Sequence, residues 1–538
     1  MRLDCNRALT FDGAPMGLLS RFTSLQSPST PQAPEPLWRR TAFVSVTAGD
    51  EVAITHKPGR APVIVPSFAL DFVHGCEEFR SLETHLTEHV ESHGWSALQV
   101  ASLRSWLPKL IEAGVLVSSA AIHAQCRAHV SAEAPPPHIS AIGFPTGGDR
   151  VEILTRALES FVANLQTHGR TADLLVADSS TKPQQREAFR TRLGVLARAH
   201  DVPLLYAGEE EKRRFATLLI ERSGCSPEAV EFALFDPLST GFTCGANRNA
   251  ILLQGAGRMI CSVDDDVVCR LAAAPEPRES LALFAGCDPF ARWLFADRET
   301  ALAEARWVEA DFLGLHEAML GHDLGALLPT NPEDLDLEKA DDDILRRMEE
   351  LAPRVRATFT GHVGDPGIPS SAYYLYYDGA NLDRLTASEE HYRSVFPSRS
   401  VLTLTAGHAI GDASVSPGMA MGLDQRELLP PSFPVLHAED FIFGATIWQC
   451  CPDAALGHLP YAIAHEPAAG KPILLPWELN AEKRAVVFEF AHLMRRIILA
   501  QTMPRHATAQ ERMQMLGRAL AEKGRLRADD FQDFLRVQ

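Results

Sequence analysis

The sequence predicts an α/β fold with a parallel sheet, and three observations carry that prediction. From residue 138 onward strand and helix signals alternate: the apolar strand His138–Phe144, the amphipathic helix Val151–Leu165, the strand Ala172–Ala177, a helix over Gln184–Ala199 and the strand Val202–Ala207. A βαβαβ series of this kind makes a parallel sheet with right-handed crossovers. The run Arg258-Met259-Ile260-Cys261-Ser262-Val263 then reads as a buried strand, and it ends in three carboxylates, Asp264-Asp265-Asp266. Finally, 538 residues at 46% hydrophobic content supply several cores, which suggests two to four domains.

In chain order, residues 1–37 read as a flexible segment, with Ser24–Pro36 (SLQSPSTPQAPEP) too rich in Ser, Pro and Gln to build a core. Residues 38–131 read as a small domain. Three short strands, Ala42–Val46, Glu51–Thr55 and Ala61–Val65, are separated by Gly49-Asp50 and Pro58-Gly59 turns. Helical stretches follow at Phe68–His74, Ser81–Ser92 and Ser96–Ala113, with Val115-Leu116-Val117 as a closing strand. The last helix carries only Arg104 and Lys109 as cations, where a DNA-reading helix would need a basic stripe. Ala132–Pro137 (AEAPPP) is a stiff linker and the clearest boundary. The main domain spans 138–475. A helical extension, 476–538, includes Glu482–Gln501, Ala509–Lys523 and Ala528–Val537 and reads as a coat on that domain.

The formal net charge of −18 argues against nucleic acid or anionic membrane as a general partner. Ten cysteines without a paired framework, and no recognisable signal peptide, point to reduced thiols and a cytoplasmic location. There is no apolar run of about 18 residues, so no membrane span is expected.

Three adjacent carboxylates repel one another and are costly to bury unless a cation lies among them. Hard divalent ions, Mg²⁺ or Mn²⁺, take such oxygens and bridge them to substrate phosphates. The alternative is a solvated acidic turn. At the carboxyl end of a strand in an α/β sheet, the cluster falls where such sheets bind ligands. No GxGxxG follows the first strand and no GxxxxGK[ST] occurs, which disfavours a dinucleotide site and a P-loop. HExxH and CxxC are also absent, which disfavours zinc. About fifteen residues before the carboxylates, Asn247-Arg248-Asn249 opens a helix. Arg248 there can meet a phosphate and Asn249 can cap the helix.

Taken together, Pro145-Thr146 after the first strand, Asp178 at the end of the second, Arg248-Asn249 and the Asp264-Asp265-Asp266 strand make residues 138–268 resemble the nucleotide half of a GT-A fold, family-2-like glycosyltransferase. That fold is a Rossmann-like nucleotide-diphospho-sugar transferase domain. The resemblance implies nucleotide-sugar contacts from Pro145, Thr146, Asp178, Arg248, Asn249, Asp264 and Asp265, with Asp178 reading the base. It implies Mn²⁺ or Mg²⁺ on Asp266 and Asp264. The segment Phe215–Thr243 is longer than in the family and reads as an inserted helical pair. Glu439-Asp440 looks like the family's acidic pair, which makes Asp440 the expected base and Glu439 its catalytic neighbour. The other reading is that the pair caps the helix Phe441–Gln449. Some relatives complete the metal site with a later His, so His465 is the expected third ligand and His458 the second choice. The Gly-rich stretches Ala357–Pro369 and Thr403–Pro417, with His362 and His408, are expected to be acceptor-side loops.

Residues 38–131, with "LPKLIEAGVLV" closing a strand–helix series, resemble the PqqD-like winged-helix domain that grips leader peptides in ribosomal-peptide (RiPP) biosynthesis. An accessory packing domain fits the same residues. The expectation is therefore a metal-dependent hexosyltransferase using a UDP- or GDP-linked sugar, with a ribosomal peptide or protein side chain as one candidate acceptor. A nucleotidyltransferase of the same fold and a non-catalytic peptide-binding scaffold are the alternatives.

Overall fold

The computed structural model describes residues 35–56, 61–130, 135–367, 371–435, 437–467 and 488–537. Most of the segment 1–37, the Pro58-Gly59 turn, part of the 132–137 linker and the start of the helix expected at Glu482 lie outside them.

Among the described residues, a mixed sheet of 14 strands organises the main body, which is an α/β structure. On one side, Leu204–Ala207, Asp173–Asp178, Ala141–Thr146 and Met259–Val263 lie side by side and parallel. The strand–helix alternation is thus as expected, shifted by one to three residues. Helix Val151–Thr167 buries Leu154, Leu158, Phe161, Val162 and Leu165 along one stripe, and Pro183–His200 buries Phe189, Leu193 and Leu196. Burial at 3.6-residue spacing fixes these helices on the sheet. The longer segment before Arg248 contains a helical pair, Glu209–Ser223 and Pro227–Leu234.

Beyond Met259–Val263 the sheet continues through Ala420–Asp424, Arg354–Gly364 and Ala454–His465. Here the expectation of two long loops, Ala357–Pro369 and Thr403–Pro417, is corrected in part. Ala357–Gly364 is interior strand, buried throughout. Thr403–Pro417 contributes the end of the strand Ser400–Leu404 and the strand Ala409–Gly411. Gly361 and Gly364 mark close backbone approach, not turns: a Cβ on Gly361 would fall 1.8 Å from the Thr403 carbonyl oxygen, and one on Gly364 2.4 Å from that of His465.

The N-terminal unit has its own core, including Val52, Ile54, Phe72, Leu103, Leu110 and Leu116. Val44–Ala48, Glu51–Thr55 and Val63–Pro66 form an antiparallel sheet. Helices Ser67–Gly75, Leu82–His93 and Ala97–Glu112 follow, and Trp38–Arg40 pairs with Leu116–Ser118. An unanticipated helix, Ser119–Ala128, joins the main body: Ile122 and Cys126 enter its core, and His123 Nε2 lies 2.7 Å from the Pro329 carbonyl oxygen. Arg39 and Arg40 both reach Asp342, at 2.5 and 3.1 Å. No helix among the described residues is long and apolar enough to cross a membrane, and the described cysteines are free thiols.

Candidate active site

Strand register builds the site. Met259–Val263 is fully buried and ends at Asp264, whose N–H donates to the Met419 carbonyl at 2.9 Å. The chain turns through Asp265 and Asp266 into Val267–Ala273, which runs antiparallel to Ala454–His465 with Val267 opposite His465. That register sets His465 beside Asp266, with Nε2 3.1 Å from Oδ1. Asp264, Asp266 and His465 each offer a ligand atom, all within 4.8 Å of one another. His458, the second choice, points elsewhere: it is fully buried among Phe284, Phe290 and Phe359, and burial drives its ring down to about 3.

The three carboxylates tolerate one another because each has a cation. Arg248 Nη2 meets Asp264 Oδ1 at 2.7 Å. Arg150 makes a fork on Asp265, Nε to Oδ2 at 2.8 Å and Nη2 to Oδ1 at 2.5 Å, and Nη2 also reaches Asp266 at 2.7 Å. Thr146 Oγ1 donates to Asp265 Oδ2 at 2.5 Å. Burial still pushes Asp264 up to about 6, against the pull of Arg248, and Asp265 also rises. Burial alone would raise Asp266 too, but the His465 hydrogen bond and charge, with Arg150, hold it well below the usual carboxylate range. For His465 burial works downward, and the Asp266 carboxylate outweighs it, lifting the ring to about 9. Its Nδ1 donates to the Asp365 carbonyl at 2.6 Å. This fixes the ring so that Nε2 faces the aspartates. Two carboxylates and one oriented imidazole nitrogen fit Mn²⁺ or Mg²⁺, with the ion taking the place of the Nε2 proton.

Arg248 does more than balance charge. It sits in the helix Cys244–Gln254 and is 3% exposed. Besides Asp264 it donates to Glu439 Oε1 at 3.0 Å, Ser262 Oγ at 3.1 Å and the Gly418 carbonyl at 2.9 Å. Gly418 in turn donates its N–H to Asp440 Oδ2 at 2.7 Å. A Cβ on Gly418 would lie 2.8 Å from the Asp440 Cβ and 3.1 Å from Arg248 Nη2, so only glycine fits between them. Asp440 opens the helix Glu439–Cys450 behind Ala438, which holds a left-handed backbone at φ 61. Such strain is uncommon outside glycine and clusters at functional sites. Burial and the neighbouring Glu439 raise the Asp440 carboxyl to about 7, against Arg248 and the Gly418 N–H.

These groups line one cleft of about 2930 Å³, which also takes in Pro145, Thr146, Lys212, Asn247, His362 and His408. Glu439, expected as a catalytic neighbour, is buried as a partner of Arg248. Two expected nucleotide contacts do not reach the cleft wall. Asp178 is fully buried, with Oδ1 held by Ser180 and Oδ2 by Tyr206 at 2.6 Å. Asn249 pins Ser432 to the helix, donating to its carbonyl at 3.0 Å and accepting from its N–H at 2.8 Å. Arg150, Lys212 and Gly418 were not singled out from sequence, and Asn247 was read only as the neighbour of Arg248. Arg150 follows Pro145-Thr146 by four residues, and that closeness was the available signal.

No family model and no curated protein matches the chain. Among solved structures, a mannosyltransferase from Pyrobaculum calidifontis, in complex with GDP-mannose and Mn²⁺, aligns over 78% of this chain and 86% of its own at 11% identity, with a TM-score of 0.24. A likeness of that size says nothing of what this chain does.

Proposed function

We propose that this chain is a metal-dependent glycosyltransferase that moves a sugar from a UDP- or GDP-linked donor to an acceptor hydroxyl or thiol. One observation carries the reading: Asp264, Asp266 and His465 converge in the same cleft as Asp440, joined to it through Arg248 and Gly418. Asp266, Asp264 and His465 would hold Mn²⁺ or Mg²⁺, and the two carboxylates suit either ion. When bound, such an ion supplies positive charge to a departing diphosphate. Asp440 takes the proton of the acceptor as its oxygen or sulfur forms the new bond to the anomeric carbon, and the nucleoside diphosphate leaves. A carboxyl poised near neutrality suits that task. Arg248 holds Asp264 and Glu439 in place.

The acceptor we favour is a peptide or protein. The strand Val44–Ala48 lies at the edge of its sheet, with Val44 and Val46 each 66% exposed. An extended peptide can add to such an edge. The free thiols among the described residues support a cytoplasmic setting.

The test is to incubate the protein with a panel of nucleotide sugars and Mn²⁺ and to assay the released product. Release of UDP or GDP, lost in Asp266→Asn, supports the reading. Release of pyrophosphate from a nucleoside triphosphate and a sugar phosphate would make it a nucleotidyltransferase instead.

A further inference from the structure

The helical pair before Arg248 brings a lysine into the cleft that nothing above accounts for. Lys212 lies in the helix Glu209–Ser223, is 4% exposed and lines the cleft beside Thr146, Phe235 and Asn247. Its Nζ donates to Asn247 Oδ1 at 2.9 Å, and Asn247 Nδ2 donates to the Thr146 carbonyl at 2.8 Å. An ammonium has three protons to give, and this one spends one. The nearby carboxylates are engaged elsewhere. Glu209 pairs with Arg213, Glu210 and Glu211 pair with Arg190, and Asp178 is held by Ser180 and Tyr206. Arg213, the neighbouring cation, lies over the Phe235 ring at 3.6 Å, and Lys212 Nζ is 5.6 Å from the same ring.

A buried ammonium without a carboxylate partner is costly. Burial accordingly pushes Lys212 down to about 8, even with Glu209 and Asp178 pulling the other way. A protein that keeps such a group facing a cleft has left an anion's place open.

We propose that Lys212 binds the donor, its ammonium donating to a phosphate oxygen of the nucleoside diphosphate portion. The assignment rests on the glycosyltransferase reading and adds to it a second cationic contact, supplied by the helical pair and separate from the aspartate cluster.

The experiment uses the full chain with Mn²⁺ and compares wild type with Lys212→Met, which keeps the side chain's length and removes its charge. The probes are a panel of nucleoside diphosphates, inorganic pyrophosphate and the matching nucleosides, with binding measured by calorimetry. The expected result is a loss of at least about tenfold in affinity for diphosphate and pyrophosphate, in line with a lost charge-assisted contact, and unchanged nucleoside binding. The ligand-free variant should melt at the same temperature as wild type or higher, because a buried unpaired charge is gone. Equal diphosphate affinity in the two proteins would overturn the assignment while leaving the transferase reading intact. Equal losses for nucleoside and diphosphate would also overturn it and make Lys212 a base contact. A lower melting temperature with unchanged binding would reduce Lys212 to a support for Asn247. If wild type binds none of the diphosphates, the transferase reading fails and the assignment goes with it.

Discussion

The Arg248 guanidinium lies 3.0 Å from the Glu439 carboxylate, 191 residues further along the chain, and both are buried. With its second contact to Asp264, Arg248 joins the turn expected to hold a metal to the helix expected to carry the base. A guanidinium committed in this way is a strut, not a free phosphate ligand. Removing one partner of a buried pair leaves an uncompensated charge and costs about 3–5 kcal/mol. Arg248→Met should therefore lower the denaturation midpoint strongly, read by urea titration followed by circular dichroism. A variant with the wild-type midpoint and weakened donor binding would return Arg248 to the phosphate role.

His465 and Asp266 make a pH-dependent site. The folded ring is raised to about 9, above its ordinary value near 6.5. A raised histidine contributes stability that is fully present below the unfolded value and is lost as pH rises through the folded one. Without metal, the melting temperature should therefore fall between about pH 6.5 and 9. A divalent ion must displace the Nε2 proton, so its affinity should tighten over the same window. Mn²⁺ titrations at pH 6.5 and 8.5, monitored by melting temperature, test both trends. His465→Ala should abolish both. A Mn²⁺ affinity independent of pH would remove His465 from the ligand set.

The carboxylate turn was legible in sequence because its signal is local: an apolar strand that ends in charge. His465 was reachable only through a family pattern, since its place beside Asp266 depends on a register between strands some two hundred residues apart. Arg150 and Lys212 carry no local mark. Their meaning lies in which carboxylates they meet, or fail to meet, and that is decided by tertiary packing. Gly361 shows the opposite error. A glycine-rich stretch has the composition of a loop, yet here glycine lets two backbones touch inside the sheet. The helix Ser119–Ala128 was missed because its buried residues, Ile122, His123 and Cys126, include a histidine whose partner is a distant carbonyl.

Asp440 separates a base from a helix cap. Asp440→Asn keeps an oxygen for the Gly418 N–H and removes the charge that burial disfavours. Its melting temperature should hold or rise, while turnover falls by about 10²- to 10⁴-fold, the usual weight of general base catalysis. Donor affinity should hardly change, because proton removal belongs to the transition state. In wild type, turnover should decline as pH drops below about 7, following the raised carboxyl. A drop in stability without a specific loss of turnover would make Asp440 a cap.

The N-terminal unit sets the last prediction, and the structure fixes the cut that tests it. Removing residues 1–130 would take away the helix Ser119–Ala128, whose Ile122 and Cys126 lie in the main core. Such a deletion would expose apolar surface whatever the unit does. Cutting after Val117 keeps that helix with its Ser118 cap and removes the Val44–Ala48 edge together with the Arg39 and Arg40 ion pairs to Asp342. If the edge holds a peptide, it raises the local concentration of the acceptor at the cleft. The truncated protein should then hydrolyse the donor, or transfer to a small acceptor, at close to the full-length rate. Its KM for a peptide carrying a leader should rise while kcat stays nearly constant. The double variant Val44→Asp, Val46→Asp in the full-length protein should give the same KM shift without disturbing the Asp342 contacts. Unchanged peptide kinetics in both proteins would reduce the unit to a packing domain.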